Sequence, residues 1–323
     1  MSADVGRPRV ALIGARRRRQ GLGPFVARQL ASHGATVVAH LGTRPETVAA
    51  AGEELRSLAG VNSPGYVDFE QLLAEQRPEA LAILAPAEHH ASWLRRALDH
   101  DLAVLCEKPL VWGDDDPAGQ ARTLVGAFAE RGLLLHENCQ WPLTIPTWDA
   151  LFPGARQAPP RRFDMTMSPA RPGLAMLADS MSHPLSLLQE LAPGLGALPT
   201  DVRFSSTAQD AAELEVRFSW PAETGPVEAT VRFALGPEQP REAGWGLDGR
   251  YAQRLIRAHD YAQFLASGAR LVDLPDPLGL LVGRFVDALR GDHREDRADA
   301  AARMIQRMDA LSAMRDAWQA DSR

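Results

Sequence analysis

The sequence is nearly devoid of lysine. Its 323 residues include 35 lysines and arginines together, of which Lys108 is the one lysine and all the others are arginines. Arginine stays protonated in proteins, whereas lysine loses its proton when it is desolvated and presents a compact ammonium rather than a planar fork. Lys108 is therefore a candidate for chemistry that arginine cannot perform. The alternative, a lysine that remains by chance on a solvated surface, stays open from this residue alone.

Other features are also scarce, and each scarcity excludes a class of protein. The formal net charge is -6 and the isoelectric point about 5.9, which argues against a nucleic-acid partner because phosphate binding needs clustered positive potential. The two cysteines, Cys106 and Cys139, lack framework spacing and stand in apolar surroundings, which predicts reduced, buried thiols. There is no apolar run of spanning length and no signal-peptide core. We therefore expect a cytoplasmic protein with no membrane partner.

The first 140 residues alternate between short apolar runs and amphipathic stretches. Residues 10–13 form an apolar run that ends at Gly14, which is typical of a buried parallel strand. Further strands are predicted at 36–39, 80–84, 103–105 and 133–135, and helices at 23–34, 46–58, 69–75, 89–100 and 118–130. Strands that alternate with helices of this length predict an α/β fold with a right-handed, doubly wound parallel sheet.

Beyond residue 140 the pattern changes. Apolar and charged residues alternate at 213–218 and again at 227–233. Period-two alternation with one charged face predicts an open, mostly antiparallel sheet that is solvated on one side. One apolar helical face recurs over residues 278–289, and a last amphipathic helix is predicted from about residue 296 to 318. The second half is therefore expected to be an α+β domain.

The loop after the first predicted strand is rich in glycine and arginine. A strand, a glycine-containing loop and a helix form a dinucleotide site, in which backbone N–H groups and the helix N-terminus meet a pyrophosphate. This loop is longer than the usual GxGxxG and carries arginine where the second glycine belongs. A solvated basic turn is the alternative for Arg17 and Arg18. The residues expected to contact the cofactor phosphates are Gly14, Arg16, Gly21 and Gly23.

The second predicted strand is followed by Thr43 and Arg44, where an enzyme that prefers NAD usually carries an acidic residue for the ribose 2′-hydroxyl. Arginine at this position suits a 2′-phosphate, because its fork matches phosphate oxygens. Thr43 and Arg44 therefore predict that NADP is preferred over NAD. A helix-leading arginine in solvent is the alternative.

Two short motifs follow the third and fourth predicted strands. The first reads Ala85-Pro86-Ala87-Glu88-His89-His90, and the second, Glu107-Lys108-Pro109, places Lys108 eighteen residues after His90. Together with the segments YVDFEQLLAEQRPEALAIL and REDRADAAARMIQRMDAL, they resemble the glucose-fructose oxidoreductase/inositol dehydrogenase (Gfo/Idh/MocA) family. That family typically shows a threonine-proline-asparagine turn, a histidine, a small-residue helix and then glutamate-lysine-proline. The resemblance extends over most of the chain.

The resemblance implies a Rossmann domain that binds NADP or NAD. It places Lys108 against the nicotinamide and the substrate hydroxyl, and it implies that Ala85, Pro86, Glu107 and Lys108 contact the cofactor. It also implies a proton-exchanging histidine. Asp179 and His183 resemble the family's aspartate-x-x-x-histidine element.

From the residues alone, Asp179 and His183 stand at i and i+4, which predicts that they share one face of a helix. Catalysis by Lys108, Asp179 and His183 is one interpretation. The second interpretation is that His183 is a core histidine whose ring forms a hydrogen bond with Asp179. A metal pair is disfavoured, because no further cluster of ligands is evident.

The chain departs from the family pattern at several positions. Ala87 stands where the turn has asparagine, Pro184 directly follows His183, and Ser186 replaces an aspartate. Residues 140–142 read Gln-Trp-Pro where the family often has an arginine pair. These changes leave the fold expectation intact and weaken any inference about the substrate.

The sequence thus predicts two domains: a dinucleotide-binding (Rossmann) domain over residues 1–140, and an α+β domain for substrate binding and oligomerisation over residues 141–323. We expect an NAD(P)-dependent oxidoreductase that transfers a hydride between nicotinamide and a hydroxyl or carbonyl of a sugar, polyol or similar small-molecule substrate. The expected assembly is a homo-oligomer, a dimer or tetramer, without a bound metal. The alternative is a non-catalytic NADP-binding sensor or assembly protein on the same fold.

Overall fold

A computed structural model describes residues 6–16, 21–113, 115–194, 196, 198–236, 241–291 and 297–322. The chain divides into two compact units, the first formed by Met1–Asn138 and Leu278–Ala301 and the second by Cys139–Pro277 and Ala302–Arg323.

The division differs from the predicted second domain over residues 141–323, because a late helix, α9 (Pro277–Arg290), packs on the first unit. A β-carbon on Gly283 of α9 would lie 2.7 Å from the ring of His33. The Arg290 guanidinium donates hydrogen bonds to the carbonyls of His33 and Gly34.

The first unit is built on a six-stranded sheet in which each neighbouring pair of strands is parallel. The strands are β1 (Arg9–Ile13), β2 (Thr36–Leu41), β3 (Gly65–Tyr66), β4 (Ala80–Ile83), β5 (Ala103–Cys106) and β6 (Leu135–Glu137). Their order is β3-β2-β1-β4-β5-β6. All residues of β4 and β5 are buried, because helices cover both faces of such a sheet. The predicted doubly wound sheet is confirmed.

The strands alternate with helices α1 (Gly23–Ser32), α2 (Pro45–Ala59), α3 (Phe69–Gln76), α4 (His90–Asp99) and α5 (Pro117–Glu130). Local sequence explains their ends: Asp68 and Asp116 cap α3 and α5 by accepting hydrogen bonds from backbone N–H groups of the first turns, and α2 ends at Gly60, whose φ is +66°. The prediction missed the two-residue strand β3 and placed β6 two residues too early. Neither segment shows the long apolar run by which buried strands are recognised.

The strand order reverses between β1 and β4. In open α/β sheets, ligands bind outside the carboxyl ends of the strands at such a switch point. Gly14 follows β1 and Ala85 follows β4 by one further residue, so both lie at this edge. The strand order therefore places Gly14 and Ala85 at the edge where the sequence predicts the cofactor.

The second unit is built on an eight-stranded sheet with the order β14-β13-β12-β11-β7-β10-β9-β8. The strands are β7 (Arg162–Met167), β8 (Thr200–Phe204), β9 (Glu213–Trp220), β10 (Val227–Ala234), β11 (Ala243–Leu247), β12 (Arg250–Ile256), β13 (Gln263–Ser267) and β14 (Arg270–Leu274). Only β7 and β10 pair in parallel among these neighbours. The predicted open, mostly antiparallel sheet is confirmed.

Alternation along β9 and β10 separates the two faces of this sheet. Leu214, Val216 and Phe218 are buried, whereas Glu215, between them in sequence, forms ion pairs with Arg217 at 2.7 Å and with Arg232 at 2.9 Å. The charged side chains therefore line the other face, as the period-two pattern predicts.

The remaining helices are α6 (Ile145–Leu151), α7 (Ala175–Ser180), α8 (Ser182–Leu191) and α10 (Arg297–Asp321), and 3-10 turns lie at Ala87–His89 and Trp141–Thr144. Trp148 and Trp245 are fully buried and stack with ring centroids 5.1 Å apart. Among the described residues, no helix is long and apolar enough to cross a membrane.

Candidate functional site

Gly14 occupies the switch point of the parallel sheet in a conformation that favours glycine. Its φ is +80°, and its N–H donates to the Leu41 carbonyl at 3.2 Å. A β-carbon on Gly14 would lie 2.8 Å from the Ala85 nitrogen, so the two chain segments touch through their backbones. Gly14 and Ala85, both predicted cofactor residues, are therefore brought together, and Pro86 follows in the same turn.

Gly23 begins helix α1 and also lies against the loop after β1. A β-carbon on Gly23 would overlap the carbonyl of Ala15, so only glycine lets the helix start this close to the loop. Leu22 at the N-cap makes no side-chain hydrogen bond, and the first turn contains no acidic residue. The helix thus presents backbone N–H groups at a positive dipole end, the usual setting for a phosphate.

Arg16 lies in the same loop. Its Nη2 is 3.7 Å from a carboxylate oxygen of Glu54 on α2, and its Nε is buried without a hydrogen-bond partner among the described residues. Gly21 is half-buried immediately before α1. Arg17 and Arg18 lie outside the described residues.

Thr43 and Arg44 are exposed between β2 and α2. The Arg44 N–H donates to the Thr47 hydroxyl at 3.1 Å, and that hydroxyl donates back to the Arg44 carbonyl at 2.8 Å. These bonds fix the Arg44 backbone at the start of α2, after the strand that neighbours β1 and Gly14.

Lys108 lies two residues beyond β5, half-buried, at the carboxyl edge of the strand next to β4. The preceding Glu107 is held in place from both ends. Its N–H donates to the Ile83 carbonyl at 2.9 Å, and its carboxylate accepts a hydrogen bond from the Asn138 side chain. The chain's one lysine therefore stands beside the predicted nicotinamide edge on a firmly anchored turn.

His90 is a site residue that the sequence reasoning did not assign. It is 1% exposed, and its ring nitrogens lie 2.8 Å from the carbonyls of Ala85 and Pro109. Burial lowers the pKa of His90, while the two carbonyls oppose that effect. His90 thus joins the turn after β4 to the turn that carries Lys108. Its position in the motif that ends His89-His90 is the signal that pointed to it.

The two cysteines are free thiols. Burial raises the pKa of Cys106 well above its ordinary value, and the carboxylates of Glu137 and Glu107 raise it further, so this thiol is inert. Cys139 is only half-buried, which corrects the prediction that both thiols are buried.

Asp179 and His183 lie on two consecutive helices rather than on one. Helix α7 ends at Ser180 and α8 begins at Ser182, because Pro184 has no N–H to donate to the Ser180 carbonyl. Met181, between them, keeps helical angles (φ -68°, ψ -25°), so the chain continues in a helical course from Asp179 to His183.

The carboxylate of Asp179 is fixed from outside its helix. Its Oδ2 accepts a hydrogen bond from the Ala170 N–H at 2.9 Å and lies 3.7 Å from the guanidinium of Arg241. His183 is 7% exposed, and its ring centroid lies 6.3 Å from that of Trp141.

Two further arginines beside this element were missed. Arg241 contacts Asp179, as described above, and Arg254 on β12 lies over the Trp141 ring with its guanidinium carbon 5.1 Å from the centroid. No sequence signal gathers Arg241, Arg254 and Trp141, because they are distant in sequence and tertiary packing brings them together. Among the described residues, no group of three or more His, Cys, Asp or Glu side chains is arranged to hold a metal ion.

These features define a class of protein: a dinucleotide-binding domain with a lysine at its switch-point edge, joined in sequence to a mixed-sheet domain. Residues 8–139 match the model of the Gfo/Idh/MocA family, an oxidoreductase family with an NAD-binding Rossmann fold. This match confirms the resemblance to that family that the motifs predict.

Curated relatives match over short segments. A D-xylose 1-dehydrogenase (NADP(+)) from Haloferax volcanii is 40% identical over 73 residues, which is 21% of this chain and 22% of the relative. A dTDP-3,4-didehydro-2,6-dideoxy-alpha-D-glucose 3-reductase from Actinomadura kijaniata is 43% identical over 70 residues, 22% of this chain and 20% of the relative. The chain thus matches about a fifth of the length of these relatives.

Solved structures match over nearly the whole chain and show its fold. The UDP-N-acetylglucosamine 3-dehydrogenase of Acidithiobacillus ferrooxidans aligns with a TM-score of 0.68 at 22% identity, covering 96% of this chain and 97% of that one. A lysine-to-alanine variant of a 3-ketoreductase from Actinomadura kijaniata, in complex with TDP-benzene and NADP, aligns with a TM-score of 0.67 at 22% identity, covering 95% and 97%.

The described residues fit a dinucleotide. The backbones at Gly14 and Gly23 leave no room for a side chain, the first turn of α1 presents N–H groups, and the Arg16 Nε is buried without a partner among the described residues. Each of these features suits a phosphate oxygen.

Proposed function

We propose that this protein is an NAD(P)-dependent oxidoreductase that interconverts a hydroxyl and a carbonyl group on a sugar or polyol. The observation that carries the proposal is the placement of the one lysine at the sheet edge where Gly14 and Ala85 form a backbone cradle. If this position needed only a solvated positive charge, arginine would serve there, as it does elsewhere in the chain.

The cofactor lies, in this proposal, along the loop from Gly14 to Gly23. The N-terminal turn of α1, Gly21 and Arg16 bind its phosphates, Thr43 and Arg44 bind the adenosine ribose, and Ala85, Pro86 and Glu107 lie along the nicotinamide half. Arg44 favours NADP, because a guanidinium pairs with a 2′-phosphate in a charge-assisted contact. When bound, the nicotinamide accepts or gives the hydride.

Lys108 and His183 divide the remaining chemistry. In the oxidative direction, the ammonium of Lys108 donates a hydrogen bond to the substrate oxygen, and an imidazole nitrogen of His183 takes the hydroxyl proton as the hydride leaves the same carbon. In the reverse direction His183 returns that proton to the oxygen. Asp179 is a positioning residue, held by Ala170 and Arg241 one helical turn from His183.

The relatives support a sugar as the substrate. They are named for a pentose, for a dTDP-linked deoxyhexose and for UDP-N-acetylglucosamine. We propose that this chain also acts on a sugar, free or nucleotide-linked, in the cytoplasm, where its two free thiols stay reduced.

We propose a homo-oligomer, a dimer or tetramer, that pairs through the open face or edge of the eight-stranded sheet. Strands β12 to β14 expose Leu255 and Leu271, and Tyr261 is exposed between β12 and β13. Exposed apolar side chains on one sheet favour an isologous contact. Light scattering of the purified protein tests this, and a monomeric mass at micromolar concentration would contradict it.

Two measurements test the proposed activity. Titration of NADPH and NADH against the intrinsic tryptophan fluorescence measures cofactor binding. A panel of aldoses, polyols and nucleotide sugars, followed at the absorption band of reduced nicotinamide, then measures turnover. Tight cofactor binding without turnover of any panel member, and no difference between wild type and Lys108→Ala, would favour the non-catalytic NADP-binding protein instead.

A further inference from the structure

Arg254 carries a positive charge into the covered side of the second unit's sheet. It stands two residues beyond the fully buried Ala252 on β12, opposite the fully buried Leu265 of β13. Its Nε is buried without a hydrogen-bond partner, and its guanidinium forms no ion pair with any residue in the described ranges. Its contact partner is the Trp141 ring, 5.1 Å from the guanidinium carbon.

A second cation lies close enough to repel it. Burial and, to a smaller extent, the nearby guanidinium of Arg241 lower the pKa of Arg254 to about 10, while the carboxylate of Asp276 opposes both effects. Arg241 is engaged with Asp179, and Asp276 accepts a hydrogen bond from Gln263 at 3.1 Å. The described residues thus compensate the positive charge of Arg254 poorly. An anion beside its guanidinium would form a favourable electrostatic interaction.

An anion can approach Arg254 from solvent, because this side chain is only half-buried. Arg254 lines a shallow recess that is open to solvent, together with Gln140, Trp141, Thr144 and Pro277. The Thr144 hydroxyl is already committed, since it donates to the Trp141 carbonyl at 2.7 Å and accepts from the Trp245 indole at 2.9 Å. A group that enters the recess therefore meets the charge of Arg254.

We propose that Arg254, assisted by Arg241, binds an oxyanion carried by the substrate and so selects acidic or phosphate-linked sugars over neutral ones. This inference rests on the proposed function and names the substrate class of the same site. The recess lies close to His183, the proposed proton-exchanging residue. The Trp141 ring contacts the Arg254 guanidinium, and its centroid is 6.3 Å from that of the His183 ring. A guanidinium suits this role, since its planar fork binds both oxygens of a phosphate or carboxylate at once.

The test compares Arg254→Met with a matched control, Arg250→Met. Arg250 begins the same strand and is exposed, so the control makes the same change in charge and side chain outside the recess. The probes are UDP-glucose as a phosphate source, D-glucuronate as a carboxylate source and D-glucose as the neutral sugar. Each is measured by KM and kcat under saturating cofactor.

We expect Arg254→Met to raise KM for the accepted anionic probe by about ten- to a hundredfold, the scale of one charge-assisted bidentate contact, with kcat changed less than threefold. D-glucose should show no such rise, and Arg250→Met should behave as wild type. Whichever of UDP-glucose and D-glucuronate responds identifies the source of the oxyanion. An equal change for neutral and anionic sugars, or none for either anion, would overturn the proposal.

Two further measurements distinguish the oxyanion site from a structural role of Arg254 and from the proposed enzymatic activity. Thermal melting distinguishes a binding role from a structural one, since removal of a poorly compensated buried cation should leave the melting temperature of Arg254→Met equal to or above that of wild type. Calorimetric binding of UDP and of D-glucuronate to the wild type and both variants needs no turnover. Loss of binding in Arg254→Met alone supports the oxyanion site even if no sugar is oxidised, in which case only the proposed activity fails. Equal binding of UDP and D-glucuronate by all three proteins would contradict the site.

Discussion

Gly14 and Ala85 pack backbone against backbone at the switch point of the parallel sheet, where a β-carbon on Gly14 would lie 2.8 Å from the Ala85 nitrogen. Two constraints act on Gly14 at once, a positive φ of +80° and the lack of space. Gly60 shares only the first: its φ is +66°, and nothing lies within 4 Å of a β-carbon built there. A comparison of Gly14 with Gly60 therefore separates the effect of backbone strain from the effect of steric contact with the Ala85 turn.

The first prediction compares alanine substitutions at Gly14 and Gly60. Gly60→Ala should cost about 1 kcal/mol of unfolding free energy, because alanine resists the left-handed region, and Gly14→Ala should cost more, because its methyl group also meets the Ala85 backbone. Gly14→Ala should also weaken NADPH binding at least tenfold, since the Ala85 turn must shift to admit the methyl group. Chemical denaturation and fluorescence titration measure the two effects. Unchanged NADPH affinity in Gly14→Ala would show that the cofactor does not approach this edge.

The second prediction concerns cofactor choice. Arg44→Ala should weaken binding of NADPH at least tenfold more than binding of NADH, because a charge-assisted contact to the 2′-phosphate is worth about 1.5 to 3 kcal/mol. Arg56→Ala is the control, since Arg56 is an exposed arginine on the same helix that pairs with Glu53 at 2.7 Å. Equal losses for the two cofactors in Arg44→Ala would refute a 2′-phosphate contact.

The third prediction treats His183 and Asp179 as one unit. His183→Asn should leave cofactor binding within about twofold and lower kcat by about two to four orders of magnitude, the usual scale for a positioned acid-base group. The double variant with Asp179→Asn should cost little more than the worse single variant, because residues that act together are not additive. A protein that melts much earlier, with kcat unchanged in the folded fraction, would mean that His183 is a core histidine.

The fourth prediction concerns Lys108. Lys108→Arg keeps the charge but widens the head group, so it should keep the fold and bind cofactor while kcat falls by about two to four orders of magnitude. Lys108→Met removes the charge at similar length and should lower turnover at least as much. Turnover, thermal melting and cofactor titration are compared for both. Wild-type turnover in Lys108→Arg would show that the one lysine is an accident of composition.

The fifth prediction uses His40, a buried residue of β2 with its ring nitrogens 3.0 Å from the Ser63 hydroxyl and 3.1 Å from the Val48 carbonyl. Burial lowers the pKa of His40, so the unfolded chain binds this proton more readily than the native state. The contribution of His40 to the free energy of unfolding is therefore complete above about pH 6.5, the ordinary pKa of histidine. It falls as the pH drops below that value, by at most about 1.4 kcal/mol per pH unit. Denaturation series at pH 5 to 7.5 should show a shallower slope for His40→Gln. Parallel slopes would assign the acid sensitivity to other groups.

Much of the first unit was predictable because its signals are local. Buried parallel strands read as apolar runs, and the glycine loop and the glutamate-lysine-proline turn follow those strands directly, so their place at one sheet edge follows from the parallel order. The second unit was less predictable. Strands β7, β9 and β10 carry clear alternation, whereas β11 is buried throughout and β14 is mostly exposed, so neither of the latter two shows a period of two.

The sequence by itself determined the class of fold, the resemblance to a family and the chemical candidates Lys108, Asp179 and His183, because each depends on residue types at short spacing. Only the tertiary structure decided which side chains surround them. His90 is joined to Ala85 and Pro109, Arg241 to Asp179, and Arg254 to Trp141 by contacts that depend on how strands and turns pair. The return of α9 to the first unit has the same origin, whereas the break between α7 and α8 follows from the local effect of Pro184. Periodicity and spacing describe a segment's own faces, whereas the partner of each face is chosen by packing over the whole chain.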